Sequence, residues 1–429
     1  MKNSLIKSVI ILIIGGFITK ILGMIIKIVM TRSITAYTLG TYMMITPTLL
    51  LIINLSSFGI PTAISKLVSD KNYNNKKIIL SNISIELIIN ITIMITIFKI
   101  APYLSNNLLN NKDLYLGIIF IALLIPFTTI SSIIKSYLFG KNKVLPITLS
   151  NILEQISKLL IYIYYLPIIK YKSTKYIIVF LIITNIITEI ISIFTLLLFV
   201  PKNIEIRKGD FIPNFYYIKS SLSISIPNTA SSLISSIGMF LEPIILNNHL
   251  KYIGYTSKYI TYNYGIINGY VIPLILLPSF FNTSISSVLL PSISKDYSNN
   301  NIKNVKRKLK LSIFLTILIS LSITIVIILI PKLLLRFIYH TELGVNYLRI
   351  LSPIFFIYYL SLPLQVTLEA ISKSKINLKC TIFSNLIRIS TLFILSFFRI
   401  GFYSLIISTY LNIIYTFFYL YSKTSKYLS

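Results

Sequence analysis

The sequence has few of the residues that build soluble active sites. Cysteine occurs once, at Cys380, so no internal disulfide can form, and with two histidines there is no cluster of soft metal ligands. No Gly-x-x-x-x-Gly-Lys-Ser/Thr loop and no Ser/His/Asp constellation is visible. These absences leave a disulfide-stabilised domain, a metal site and ATP hydrolysis unsupported. We predict a protein that is not an enzyme and that carries no cofactor.

Charge is also scarce. Charged residues make up 12% of the 429 positions, whereas hydrophobic residues make up 55%. A soluble chain this apolar could not cover its surface with polar groups. Apolar runs of about 20 residues, the length that crosses the hydrocarbon core as a helix, recur from end to end. Strands in soluble proteins are shorter, about 4–8 residues, and helices satisfy their own backbone in lipid. The sequence therefore predicts an all-α polytopic membrane protein.

The apolar runs predict about twelve transmembrane helices, near 5–30, 41–65, 78–100, 114–138, 145–169, 176–200, 218–246, 263–290, 311–335, 347–370, 377–398 and 402–421. No cleavage motif follows the first run, so we expect a retained helix rather than a signal peptide. The tripeptide Ile-Ser-Lys at 64–66 recurs at 293–295. Parallel repeats are a transporter architecture. We predict two six-helix lobes, 1–208 and 209–429, related by a pseudo-two-fold axis along the membrane normal.

The scarce charges are mostly of one sign, with 40 Lys and Arg against 11 Asp and Glu and a net charge of +29. The basic residues lie between apolar segments rather than on one face, which favours loops at a membrane surface over nucleic-acid binding. Most loop Lys and Arg fall on the side that holds both ends of the chain. Because cytoplasmic loops carry the positive excess, we predict that both termini are cytoplasmic.

The first predicted helix carries a stripe of small and basic residues. Gly16, Lys20, Gly23 and Lys27 fall at i, i+4, i+7 and i+11, on one face of a helix. Two ammonium groups on one face can bind an anion in a cavity, and glycines let a ligand or another helix approach. The alternative is that Lys27 reaches the membrane surface and the glycines only pack helices.

Intramembrane carboxylates form a second set of candidates, because ionisable groups inside a span face the bundle interior or a cavity. They carry protons or sodium in transporters, or they pair with intramembrane cations and fix the helix register. The candidates for coupling to Na⁺ or H⁺ are Glu86 between Asn82 and Asn90, Glu189, and Glu242 on the seam of Asn228 and Ser235. Asn228, Ser235 and the intramembrane Arg388 join Lys20 and Lys27 as candidates for substrate binding.

Glycine and proline interrupt the predicted eighth helix. Gly265, Gly269, Pro273 and Pro278 fall within 263–290. Broken membrane helices act as hinges or expose backbone polar groups to a site, although they also occur where neither applies. We expect a bend in this segment.

Several stretches resemble one known family. ITKILGMIIKIVMTRSITAYTLGTYMM at 18–44, FGIPTAISKLVSD at 58–70 and KSYLFGKNKVLPITLSNILEQISKLL at 135–160 resemble the stage V sporulation protein B family. So do SSVLLPSISKDYS at 286–298 and LEAISKSKINL at 368–378. That family of polysaccharide biosynthesis proteins, or oligosaccharide flippases, belongs to the multidrug/oligosaccharidyl-lipid/polysaccharide exporter superfamily and is related to the lipid II flippases. Two departures stand out: many relatives have fourteen helices, and the predicted eighth helix here lacks the intramembrane Arg of the lipid II flippases.

The resemblance implies a pair of six-helix lobes that work by alternating access in a bacterial cell membrane. The implied cargo is an anionic lipid-linked cell-wall or polysaccharide precursor, and in spore formers cortex peptidoglycan. It also implies that Lys27 lies close to the diphosphate of the cargo. The alternatives are a cation-coupled multidrug exporter of the same superfamily, a membrane-embedded glycan polymerase or transferase, and a scaffold without transport activity. The expected partners are the lipid-linked glycan and membrane lipids.

Overall fold

A computed structural model of the protein describes residues 2–70, 74–200 and 214–428, with the side chains of 2–7, 9, 227, 228, 231, 280 and 287 outside the description. Every regular element in these ranges is helical, as the sequence predicts. The sixteen helices are α1 (Lys2–Ser33), α2 (Ala36–Ser57), α3 (Ile60–Ser69), α4 (Asn75–Tyr103), α5 (Leu114–Gly140), α6 (Val144–Ile169), α7 (Thr174–Leu197), α8 (Phe215–Tyr252), α9 (Ser257–Gly265), α10 (Ile272–Ile275), α11 (Ser279–Ser298), α12 (Ile302–Leu329), α13 (Pro331–Tyr339), α14 (Val345–Ala370), α15 (Ser374–Leu395) and α16 (Tyr403–Leu428).

Ten helical segments of the described chain are long and apolar enough to cross a membrane. They comprise α1, α2, α4 to α7, α12 and α14 to α16. The serine-rich α8 and the broken segment from α9 to α11 fill the places of the seventh and eighth predicted spans. The prediction of a polytopic all-α membrane protein with about twelve spans is confirmed.

Two of the predicted spans are each divided into two helices. The predicted helix 41–65 consists of α2 and α3, because Phe58 and Gly59 both take left-handed backbone angles, with φ of 43° and 67°. A glycine accommodates this conformation without strain from a Cβ atom. The predicted helix 311–335 is divided at Ile330, and Pro331 begins α13. Proline fits the first turn of a helix because its missing N–H would have no partner there.

The predicted bend in 263–290 is confirmed. Helix α9 ends at Gly265, a π-helical turn covers Ile266–Val271, and α10 is one turn long with Pro273 near its start. Pro278 then precedes α11. The Tyr359 hydroxyl on α14 donates a hydrogen bond to the carbonyl oxygen of Ile275, at the end of α10. A side chain thus satisfies a backbone group that the interrupted helix leaves open.

The chain divides into two compact units, Met1–Phe240 and Leu241–Ser429, so α8 begins in the first unit and ends in the second. In the first unit α1 packs against α6, and α5 lies among α2, α3, α4 and α7. In the second unit α14 packs against α11, α12 and α16.

The Ile-Ser-Lys tripeptides at 64–66 and 293–295 each lie against the end of another helix. Ile64 and Ile293 are fully buried. The backbone at Ser65 lies against Gly140, at the end of α5, and a Cβ atom on that glycine would stand 2.7 Å from the Ser65 carbonyl oxygen. In the second unit the Ser294 hydroxyl donates to the carbonyl oxygen of Ala370, at the end of α14, at 3.2 Å. The internal repeat stays a prediction.

Candidate substrate and coupling sites

The glycine and lysine stripe on α1 does not serve the packing of α1 against α6. That role falls to Gly15, where a Cβ atom would lie 1.9 Å from the Thr148 methyl group on α6. By contrast, an added Cβ at Gly16 or Gly23 would meet no atom of the described chain within 4 Å. The face that carries Gly16 and Gly23 is therefore not covered by another described helix at these two positions.

The two lysines of the stripe have different surroundings. The Lys20 side chain is exposed. Lys27, two helical turns further on, is partly buried, and its ammonium group donates to the thioether sulfur of Met43 on α2 at 3.4 Å. In the described part of the chain no carboxylate lies within salt-bridge distance of this group. Because a thioether is a weak acceptor, the charge of Lys27 is left without a counter-ion.

A cluster of charged residues on α5, α6 and α7 lies next to Lys27. Lys158 repels Lys27 electrostatically and donates a hydrogen bond to the Asn185 side chain on α7 at 2.5 Å. Glu154 and Glu189 attract Lys158. Glu154 also forms a salt bridge of 3.5 Å with Lys135 on α5. Counted with Lys27, three cations face two carboxylates, so this part of the first unit is net positive.

The sequence analysis did not single out Lys135 or Asn185 as partners in this cluster. Glu154 and Lys158 are at i, i+4 on one helix, a spacing at which opposite charges can neutralise each other. In the structure, the carboxylate of Glu154 is shared with Lys135 from a neighbouring helix, and Lys158 is bound by an amide on a third helix. Tyr42 on α2 lies near the same Asn185 side chain. Spacing within one helix carries no signal for such contacts between helices.

The carboxylate stripe on α4 is buried and largely unsatisfied. Asn82, Glu86 and Asn90 are each at most 1% exposed. The amide nitrogen of Asn82 donates to the Ser221 hydroxyl on α8 at 2.9 Å. Both carboxyl oxygens of Glu86 and both polar atoms of the Asn90 side chain have no hydrogen-bond partner within the described chain. A buried carboxyl group without a partner is costly in its charged form, so it is suited to binding a proton or a cation.

Glu242 and Arg388 form an ion pair in the second unit. The guanidinium of Arg388 on α15 donates to one carboxylate oxygen of Glu242 on α8. The Tyr264 hydroxyl on α9 donates to the other oxygen at 3.2 Å. The Glu242 side chain is 7% exposed and that of Arg388 is 26% exposed. These two candidates, predicted to serve different roles, therefore neutralise each other in this conformation.

The remaining predicted residues lie on α8. Ser235 is partly buried on the part of α8 that belongs to the first unit. The side chain of Asn228 lies outside the described residues. The structure thus places Glu189 in the charged cluster beside Lys27, and it places Glu86 and the Glu242–Arg388 pair at two other positions, one in each unit.

The fold matches that of known membrane transporters. An inward-facing multidrug resistance transporter of the MATE family and MOP superfamily superposes with a TM-score of 0.75, with 15% identity and 95% of each chain covered. A MOP superfamily transporter from Pyrococcus furiosus superposes with a TM-score of 0.66, with 17% identity, over 98% of this chain and 96% of that one.

Two proteins of Bacillus subtilis (strain 168) are similar in sequence over most of their length. Stage V sporulation protein B is 27% identical over 408 residues, which cover 92% of this chain and 78% of that protein. Sporulation protein YkvU is 23% identical over 398 residues, which cover 92% of this chain and 88% of that protein.

The fold and the relatives together define a multi-pass membrane protein with the fold of MATE transporters. Residues 5–297, more than half of the chain, match the family described as polysaccharide biosynthesis protein, and residues 263–394 match the family described as MatE. The chain belongs to the polysaccharide biosynthesis protein family.

Proposed function

We propose that this protein moves an anionic lipid-linked cell-wall or polysaccharide precursor from the inner to the outer leaflet of a bacterial cell membrane by alternating access. The cargo crosses unchanged, so the activity is transport rather than catalysis. In this proposal both termini are cytoplasmic. The family match and the similarity to a sporulation protein favour a glycan precursor, and they raise spore cortex peptidoglycan as one such cargo.

The observation that carries the proposal is the uncompensated ammonium group of Lys27. Its partner is the sulfur of Met43, while the neighbouring Lys158 adds a second positive charge. Two cations in surroundings of low dielectric repel each other and attract an anion more strongly than they would in water. A diphosphate supplies the missing counter-charge and accepts several charge-assisted hydrogen bonds. Lys20, exposed on the same helical stripe, extends this anion-binding surface along α1.

The other candidate residues serve in ion coupling and in binding of the cargo. Glu86 and Glu189 couple the conformational change to Na⁺ or H⁺, and the isolation of Glu86 makes it the principal coupling group. Ser235 and Asn228 on α8 contact the sugar headgroup. Arg388 binds the cargo phosphate and Glu242 binds the coupling ion only in a conformation in which their ion pair opens.

A cation-coupled multidrug exporter is the second candidate. The match of residues 263–394 to the MatE family and the similarity to multidrug transporter structures favour it. An exporter of this kind takes cationic cargo, for which the positive charge around Lys27 and Lys158 is unfavourable. The two candidates therefore differ in the effect of removing Lys27.

The decisive experiment follows a fluorescent lipid-linked glycan diphosphate across the membrane of reconstituted vesicles. We compare the unmodified protein with Lys27→Met and Lys20→Met. Lys99→Met is the matched control, since Lys99 is an exposed lysine on α4 and the substitution is the same. A lipophilic cation is tested as cargo in parallel.

We expect Lys27→Met to slow translocation of the glycan at least about tenfold, as for a lost hydrogen bond to a charged group. Lys20→Met should have a smaller effect and Lys99→Met none. Equal rates for Lys27→Met and the unmodified protein would remove the assigned site. Transport of the lipophilic cation without transport of the glycan would establish the second candidate instead.

A further inference from the structure

The beginning of α12 carries a dense basic cluster outside the proposed transport site. Five of the eight residues from 303 to 310 are basic: Lys303, Lys306, Arg307, Lys308 and Lys310. All of these except Lys308 are exposed. Lys308 is partly buried because it forms a salt bridge of 2.6 Å with Asp296 on α11 and donates to the Ser292 carbonyl oxygen at 3.3 Å. Its charge is thus compensated, and the exposed cations supply the positive potential.

An exposed apolar stripe continues directly from the basic cluster. Leu311, Phe314 and Leu318 are 58%, 59% and 54% exposed. They lie four, seven and eleven residues after Arg307, so all four side chains share one face of the helix. This face belongs to α12, a helix of 28 residues that is long and apolar enough to cross a membrane. The transition from charged to apolar residues marks the point where α12 enters the hydrocarbon core.

A groove joins the two parts of this surface. Its volume is about 600 Å³, and its lining consists of Asn304, Arg307, Lys308, Lys310, Leu311 and Phe314. A soluble anion would use only the charged half of this groove, and a nucleic acid would have no use for exposed Leu and Phe at membrane depth. A molecule with a negative headgroup and a hydrocarbon chain fits both halves.

We propose that this groove binds an anionic phospholipid of the phosphatidylglycerol type. Its phosphate contacts Arg307 and Lys310, and one acyl chain lies along Leu311 and Phe314. Basic clusters next to a membrane span attract anionic headgroups, and the apolar stripe makes the contact specific for a lipid rather than for phosphate. The site is independent of the proposed transport function, because none of its residues belongs to the cluster around Lys27.

The chain contains no tryptophan, which allows a site-specific fluorescence test. We introduce a single reporter by Leu311→Trp in the full chain and reconstitute it in phosphatidylcholine vesicles. Quenching is then compared for phosphatidylglycerol and phosphatidylcholine that carry bromine on their acyl chains, at equal mole fraction. Phe383→Trp gives a control reporter on α15, where Phe383 is exposed and lies on another helix.

We expect the Leu311→Trp reporter to be quenched severalfold more strongly by the brominated phosphatidylglycerol. The preference should disappear in Arg307→Gln/Lys310→Gln and persist in Lys303→Gln, since Lys303 does not line the groove. Phe383→Trp should show no preference. Millimolar inorganic phosphate should leave the signal unchanged.

Three results would overturn the proposal. Equal quenching by both lipids at Leu311→Trp would show that no anionic lipid is selected. A preference that survives Arg307→Gln/Lys310→Gln, or falls equally in Lys303→Gln, would show a general surface potential rather than a site. Loss of the preference in inorganic phosphate would identify a site for a soluble anion. Because the measurement requires no translocation, failure of the transport proposal would leave it intact.

Discussion

Glu242 on α8 and Arg388 on α15 form an ion pair within the second unit, and Tyr264 completes the hydrogen bonding of the carboxylate. Each charge is the other's counter-ion in a position where neither is well hydrated. The pair fixes α15 against the end of α8. If the second unit changes conformation during transport, opening this pair is one of its energetic costs.

We expect Arg388→Gln to destabilise the protein by about 3 kcal/mol, because it leaves the Glu242 carboxylate buried without a counter-ion. The double variant Glu242→Gln/Arg388→Gln should lose much less than the sum of the two single variants, since no unpaired charge remains. Thermal unfolding in detergent measures both effects. Additive losses would show that the two residues do not interact in the folded protein.

Gly15 and Gly16 are neighbours in sequence, but substitution by Ala should change the stability of the protein in opposite directions. Gly15→Ala should lower stability by about 1–3 kcal/mol, because the new methyl group collides with Thr148. Rotation of Thr148 would break the 3.1 Å hydrogen bond from its hydroxyl to the Val144 carbonyl oxygen. Gly16→Ala should be neutral or stabilise the helix slightly. Thermal unfolding of the two variants checks this, and the reverse order would mean that α1 packs through its other face.

Replacement of Glu86 by an apolar residue should stabilise the protein. Glu86→Met removes two buried oxygens that lack partners, and we expect a gain of about 1–2 kcal/mol. Glu154→Met is the matched control. It should lower stability, because Lys135 and Lys158 lose the carboxylate that compensates them. A loss of stability in Glu86→Met would show that Glu86 has a partner that stabilises its charged form.

A second variant at Glu86 tests whether this residue couples translocation to a Na⁺ or H⁺ gradient. In the conservative variant Glu86→Gln the side chain can no longer gain or lose a proton and has no charge to attract Na⁺. We expect glycan translocation to become insensitive to an imposed Na⁺ or H⁺ gradient. Some translocation in the absence of a gradient should remain. Translocation measured with and without each gradient checks this. An unchanged response would transfer the coupling role to Glu189 or Glu242.

Substitutions at Lys27 and Lys158 should differ in their effects on the stability of the protein and on transport. Lys158→Met should destabilise the protein by about 1–3 kcal/mol, because Asn185 loses a charge-assisted hydrogen bond and the carboxylates lose a counter-ion. Lys27→Met removes a charge that has only a sulfur partner, so its stability should be unchanged or higher. Unfolding measurements on both variants, alongside the vesicle assay, check this. Equal destabilisation would indicate a purely structural role for Lys27.

Much of the fold was predictable because the membrane imposes a simple rule. A helix must be about 20 apolar residues long to cross the hydrocarbon core, and the length of each apolar run can be read from the sequence. The interruption near Gly265, Pro273 and Pro278 was predictable for the same local reason, since these residues act on their own backbone. The division after Phe58 had a similar local signal, since Gly59, Ile60 and Pro61 mark an end of the second predicted helix. The division at Ile330 was not predicted, because the apolar pattern continues across Pro331.

The candidate sites were predictable only as sets of residues. Helical spacing placed Lys20 and Lys27 on one face, and placed Glu86 between two asparagines on another. The i, i+4 spacing of Glu154 and Lys158 favours a pair within α6, whereas the structure shares these charges among three helices. Nothing in the sequence links Glu242 to Arg388, which are 146 positions apart.

The amino-acid sequence by itself determined that this chain is a helical membrane protein, and it predicts which of its charges fall within the apolar spans. Both follow from the cost of placing polar groups in hydrocarbon, which acts on each segment separately. Only the tertiary structure decided which of those charges are compensated. Compensation depends on distances between helices that are far apart in sequence, and these distances leave Lys27 and Glu86 without counter-ions while they pair Arg388 with Glu242.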